Sequence, residues 1–193
     1  TWASTAAGAF ALSENSLYTV EAFREYFEHL RPDGFIAVTR WEFKQPREAL
    51  RVVSQAMEAL RQLGVQQPQR HFIVVCEGGL TVDGRPVTVL AKRSPFTPDE
   101  EARVAAHMLA HPKLTPLYLP SIAAGPDYAG RIAADGARRA FAELIAGNDP
   151  HAFSRTYAFN VAPVTDNAPF FFFTLKLGQV LDRGLGRGID WKV

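Results

Sequence analysis

Val20, Phe23, Phe27 and Leu30 recur at three-and-four spacing, with Arg24, Glu25 and Glu28 between them, the pattern of a helix buried along one face. Thr19 ahead of the run supplies a hydroxyl for the N-cap. Arg31-Pro32-Asp33-Gly34 ends the helix, because proline has no N–H to donate and glycine takes the positive φ of a tight turn. Residues 35–39, FIAVT, are a β-prone apolar run too short for a helix, which predicts a strand covered on both faces. Helical spacing returns with Ala49, Leu50, Val53, Met57 and Leu60, from Pro46 at a first helical position to Gly64 at the end. Residues 71–76, HFIVVC, read as a second buried strand. In LTVDGRPVTVLAK the Asp83-Gly84 turn signal separates two β-prone runs. Strand, helix, strand and return strand predict an α/β fold whose sheet is mostly parallel with an antiparallel edge hairpin.

Thr97 and Glu100 stand at capping-box spacing with Pro98 at the first helical position, so a helix is expected from there to about Ala110. Residues 112–135, rich in Pro, Gly and Ala, read as a long surface excursion, and residues 136–146 as a last short helix. The segment YAFNVAPVTDNAPFFFF ends in four phenylalanines, whose apolar area favours a core strand over an exposed docking patch. Asp166 and Asn167 ahead of Pro169 make a turn. The tail LGQVLDRGLGRGIDWKV is expected to be mobile, and the division expected is a unit at 1–94 with a helical, Pro-rich extension at 95–193.

Composition narrows the function classes. Lys and Arg total 21 against 20 for Asp and Glu, so no long-range field draws the chain to nucleic acid. The single cysteine, Cys76, excludes an internal disulfide and any multi-cysteine zinc site. No apolar run approaches the ~18 residues of a membrane span, so the chain itself is expected to be soluble. It opens on Thr1 in the Ala-rich run TWASTAAGAFAL, without a helix cap, which suggests a cut through a longer protein; removal of an initiator methionine would leave the same end.

Candidate chemistry is sparse. His107 and His111 lie four apart, the spacing of two ligands on one helix face, but Met108 stands where a zincin-type motif has glutamate. Gly184-Leu185-Gly186-Arg187-Gly188 follows no strand and precedes no helix, so it reads as a linker and not a phosphate loop. There is no G-x-S-x-G elbow, no P-loop and no cysteine nucleophile with a histidine signature. The remaining candidate is LSENSLYTVEAF, residues 12–23. If a strand lies before Thr1, residues 1–18 form a loop at a strand's carboxyl end, where α/β sheets bind ligands. Ser13, Glu14, Asn15 and Tyr18 would then gather at the binding edge. Equally, Ser13 or Asn15 caps a turn and Glu14 is solvated; spacing leaves both readings open.

TWASTAAGAFALSENSLYTVEAFREYF, LRPDGFIAVTRW, AKRSPFTPDE and APVTDNAPFFFF, in that order, resemble the soluble domain of bacterial spermidine synthase-like or S-adenosylmethionine-dependent methyltransferase-like proteins. To true spermidine synthases only the pattern around Leu17-Tyr18, the helix to Leu30 and Pro32-Asp33-Gly34 is similar. The resemblance implies the second half of a class I methyltransferase-like (Rossmann-like) sheet with a helical C-terminal extension. It implies aminopropyl or methyl transfer from S-adenosylmethionine or its decarboxylated form to an amine-bearing acceptor. Trp2, Ser13, Glu14, Asn15 and Tyr18 would contact that acceptor: Glu14 orienting or deprotonating the amine, Ser13 and Asn15 bonding it, Tyr18 or Trp2 packing its methylenes or its cation. True spermidine synthases use an aspartate at the end of the fourth strand as base, and that role does not transfer to Glu14. The family's glycine-rich loop and acidic strand ends have no counterpart here, so the isolated chain is expected to bind no cofactor and to be inactive. The partner implied is the upstream half of the same domain, in a parent often joined to membrane spans; self-association through the unpaired strand edge or the phenylalanines is also expected. The competing reading is a non-enzymatic regulatory or interaction domain of a membrane protein.

Overall fold

A computed structural model describes residues 15–123 and 136–176. Trp2, Ser13 and Glu14, the tail from residue 177 onward and the glycine run at 184–188 lie outside the described residues. Four strands, β1 (Ile36–Glu42), β2 (Phe72–Glu77), β3 (Arg85–Ala91) and β4 (Leu114–Tyr118), form one sheet in the order β1-β3-β2-β4. Every neighbouring pair is antiparallel. The expected mostly parallel, Rossmann-like sheet with an antiparallel edge is therefore corrected to a fully antiparallel one.

The physical reason lies in the crossovers. Helix α2 (Glu48–Gln62) links β1 to β2 and α3 (Pro98–Ala110) links β3 to β4. Each link steps over one strand, and each gap is filled by a strand of the other pair. β1 and β2 run in the same direction without touching, because the β2–β3 hairpin folds back and inserts β3 between them. Since β1 and β3 run oppositely and step the same way, crossovers of one hand put α2 and α3 on opposite faces. Phe72, Val74, Cys76, Val87, Val89 and Ala91 join the core beneath α2, and Ile73, Val75 and Leu90 pack with Phe96, Val104 and Met108 on the α3 side.

Local signals set the helix ends. In α1 (Val20–His29) the Thr19 hydroxyl accepts the Ala22 N–H at 3.2 Å, and Val20, Phe23 and Phe27 are buried. α3 opens on the reciprocal bonds of Thr97 and Glu100. α2 ends where Gly64 turns at φ 89°. It starts at Glu48, with Pro46 outside, because its cap is a side chain from β1.

Further departures have identifiable causes. β1 is an edge strand with Ala37, Thr39 and Trp41 exposed on one face, so the expectation of cover on both faces fails; small or hydroxylic residues such as Ala37 and Thr39 sit on a surface at little cost. The region 112–135 contains β4, whose alternation is broken by Pro116, a residue tolerated at a sheet edge. α4 (Pro120–Ala123) follows it, then α5 (Gly136–Gly147) and a further helix, α6 (Pro150–Thr156), capped by Asp149 through the Ala152 N–H. Phe171 and Phe172 are buried, but in irregular turns and not a strand.

Twelve consecutive residues of α2, Ala49 to Leu60, are buried. Arg51 among them is 2% exposed and donates to the carbonyls of Ala162 (3.0 Å), Phe170 (3.1 Å), Phe171 (2.6 Å) and Phe173 (2.8 Å). Burial pulls its guanidinium down to about 10, which leaves it a cation at neutral pH. Arg51→Met should therefore destabilise the fold by about 3 kcal/mol, since it strands several buried carbonyls; urea unfolding monitored by circular dichroism measures it.

Candidate functional site

Two regions compete for the role. The first is the rim at the carboxyl end of β1, where the chain enters α1. Asn15 caps the 3-10 turn Ser16–Tyr18 by accepting the Leu17 N–H at 3.2 Å, and its own N–H donates to the Pro169 carbonyl at 2.8 Å. Its side chain thus serves the bland reading of the sequence. Tyr18 stacks on Phe171, with ring centroids 4.5 Å apart, and meets Phe172 edge-on at 6.1 Å. Of the sequence-predicted site residues these two are described, and the 3-10 turn brings both to the same rim.

Arg40, on β1, occupies the middle of this rim. Its guanidinium lies over the rings of Phe172 at 4.7 Å and Tyr18 at 5.3 Å. It donates to Glu48 Oε2 through Nη2 (2.6 Å) and Nε (2.9 Å), and through Nη1 to the Tyr18 hydroxyl at 3.4 Å. An arginine boxed by aromatic faces and a carboxylate is a cation site already filled from within. Reading Arg40 and Glu48 as part of the rim required the fold, since they lie far from Tyr18 in sequence.

Beneath the rim sits Glu42, fully buried at the end of β1. Its Oε1 accepts the N–H groups of Arg47 (2.7 Å), Phe43 (3.1 Å) and Glu48 (3.3 Å), and Oε2 that of Ala49 (2.6 Å). It thereby takes the donors that open α2, the groups with which a helix N-terminus would otherwise hold an anion. Burial pushes its carboxyl up to about 7, against the opposing pull of those backbone N–H groups and with a small push from Glu48. Tyr157 donates to the Pro46 carbonyl at 2.8 Å, and burial, then the Glu42 charge, raises its phenol.

The second region is a cleft of about 780 Å³ on the opposite face of the sheet, beside α3. Its floor is Val75, Leu90 and the Thr39–Thr88 hydroxyl pair, 2.8 Å apart; its wall is Arg103, Val104 and His107, and Glu77 stands at one end. Only His107 was singled out from sequence. Its ring lies 4.1 Å from that of His111, whose Nδ1 bonds the His107 carbonyl at 2.8 Å, and among the described residues no group of three His, Cys, Asp or Glu forms. Strand alternation could have flagged Thr39, Thr88 and Glu77 as one-sided, but not that α3 covers only half of that side. No protein-family model, curated protein or solved structure matches the chain. No helix among the described residues is long and apolar enough to cross a membrane.

The raised carboxyl of Glu42 gives a pH dependence of definite sign. In the folded state it holds its proton to about 7, against 4.5 ordinarily. The native state therefore binds more protons between those values, and its contribution is present below pH 4.5 and lost as pH rises to 7. The loss amounts to about 3 kcal/mol. Denaturation midpoints across that window should fall with rising pH for this group, and Glu42→Gln should flatten the slope while lowering stability overall.

Proposed function

We propose that this chain is part of a group transferase of the spermidine synthase-like type, contributing the wall against which an amine-bearing acceptor lies. The observation that carries the reading is the position of Tyr18. Its ring stands at the carboxyl end of β1 with the Arg40 guanidinium over it, that guanidinium is paired with Glu48, and Ser13 and Glu14 precede it in sequence. Because β1 and β2 point the same way, the carboxyl ends of both lie at this end of the sheet. The ring and carboxylate that hold Arg40 would suit an alkylammonium group that takes the place of its guanidinium.

The described residues do not themselves fit S-adenosylmethionine or its decarboxylated form. The strand-to-helix passage from β1 to α2 is the place where a helix N-terminus could face a ligand, and Glu42 already takes its donors. No step of the transfer is therefore assigned to this chain. Its part is to orient the acceptor, with the cofactor held elsewhere in the parent protein.

A second reading, a non-enzymatic interaction domain of a membrane protein, is favoured by one observation. Asn15, Arg40, Glu42 and Glu48 are each committed to partners inside the chain. Calorimetric titration of the natural full-length protein with both cofactors separates the two: binding supports the transferase, and no heat at millimolar cofactor removes it and leaves the module. In the transferase, Tyr18→Ala should weaken acceptor binding about fivefold, the loss of one cation–π contact of ~1 kcal/mol, with cofactor affinity unchanged.

A further inference from the structure

One motif of the sequence is used neither by the core nor by the rim. His107 and His111 stand at the end of α3, both exposed, with ring centres 4.1 Å apart and planes inclined by 30°. His107 lies in the last turn of the helix, and His111 is its C-cap, with φ −126° and ψ 80°. The His111 Nδ1 lies 2.8 Å from the His107 carbonyl. A carbonyl only accepts, so Nδ1 carries the hydrogen and the neutral ring keeps its lone pair on Nε2. Metal-binding histidines are ordinarily fixed in this way: one ring nitrogen donates to a carbonyl or carboxylate and the other faces the metal.

That bond alone does not single out the pair. His29, at the end of α1, makes the same bond to the Glu25 carbonyl, also at 2.8 Å, but its companion is the Glu25 carboxylate, 3.9 Å away. Only at the end of α3 does a second imidazole stand beside the first. Two imidazoles on one metal, with bonds of about 2.1 Å at about 90–110° to each other, hold their ring centres about 4.6–5.3 Å apart. From 4.1 Å the rings need to open by roughly 0.5–1.2 Å, which side-chain torsions supply without moving the helix. The last turn of a helix also favours a cation, because its carbonyls form the negative end of the dipole.

We propose that His107 and His111 form a two-imidazole site for a late first-row divalent metal, Cu²⁺ most strongly and Ni²⁺ or Zn²⁺ less. The donors set the class. Imidazole suits these ions, whereas Mg²⁺ and Ca²⁺ call for oxygen ligands. Cys76 is buried in the core beneath α2 and supplies no thiolate. Among the described residues no third His, Cys, Asp or Glu joins the pair, so this is not the closed four-ligand arrangement of structural zinc, and the remaining positions go to water. Arg103, one turn before His107, and Lys113 repel a further cation, so affinity rests on the two nitrogen bonds and not on the surrounding field. His107 is also a wall residue of the cleft of about 780 Å³, which places the metal beside that cavity. The inference stands apart from the transferase reading.

Calorimetric titration of the chain with Cu²⁺, Ni²⁺ and Zn²⁺ in neutral buffer tests it, together with electron paramagnetic resonance of bound Cu²⁺ to count nitrogen ligands. Cu²⁺ should bind tightest, with two imidazole nitrogens in its spectrum. His107→Ala and His111→Ala should each weaken Ni²⁺ and Zn²⁺ binding at least about tenfold and reduce the Cu²⁺ spectrum to one such nitrogen. Both side chains are exposed, so the melting temperature of the metal-free protein should not change. His29→Ala, which removes the same carbonyl bond without a second ring, should leave every readout as it was. The proposal is overturned by absence of binding at millimolar metal, or by affinity that both single variants retain, which would mean an adventitious ion only. A Cu²⁺ spectrum of the unsubstituted chain with fewer than two imidazole nitrogens, or one that changes with His29→Ala, also overturns it. None of these readouts involves a sulfonium cofactor or an acceptor, so the outcome does not depend on whether the protein is a transferase.

Discussion

The enclosure of α2 is the constraint on which the rest of the structure depends. A helix buried from Ala49 to Leu60 withholds its polar groups from water and must draw their partners from whatever surrounds it, although Gln55 Nε2 finds none among the described residues. Arg51 meets this by gathering carbonyls from the segment 162–173, and Gln55 by accepting the Val164 N–H at 3.1 Å. Val164 in turn accepts the N–H of Val20 at the start of α1. One buried cation and one buried amide thereby tie the C-terminal segment and the first helix to the same core. The phenylalanines need no strand partner there, because Arg51 satisfies the carbonyls a strand would have paired.

The interleaving of two crossovers sets which surfaces remain available. Since α2 and α3 fall on opposite faces, α1, α2, α5 and α6 gather on the side of α2, while among the described residues the other side has α3, packed toward β2 and β4 with the short α4 against it. The cleft beside α3 and the bare half of β1 are two results of that one asymmetry. The rim at the end of β1 has the opposite character. Its charges are matched internally, Arg40 by Glu48 and the first turn of α2 by Glu42, and of its rings Phe171 and Phe172 are buried and Tyr18 half-buried.

That distribution bears on function. A site that must deprotonate an amine needs an uncommitted carboxylate, and within the rim Glu42 spends both oxygens on the start of α2 while Glu48 is paired with Arg40 through Oε2. The orienting role proposed for Tyr18 asks only that an ammonium group take the place of the Arg40 guanidinium over its ring.

Short-range physics was legible in the sequence. Thr19 and the Thr97–Glu100 pair cap the helices they precede, Gly64 ends α2, and the apolar stripe of α1 is the buried one, because each depends on residues within a turn of one another. Asp149-Pro150 carried an equally local signal for α6 that a turn-rich context concealed. The order of strands was not legible. Apolar runs such as residues 35–39 and 71–76 say that a strand forms, not which strand lies beside it, and a crossover that skips one strand leaves no trace in periodicity. Nor did spacing show that Asn15 is spent on a cap, that Glu42 caps a helix beginning six residues later, or that Arg40 lies among the rings of Tyr18 and Phe172. Those pairings join residues separated along the chain, and only packing around α2 brings them within bonding distance.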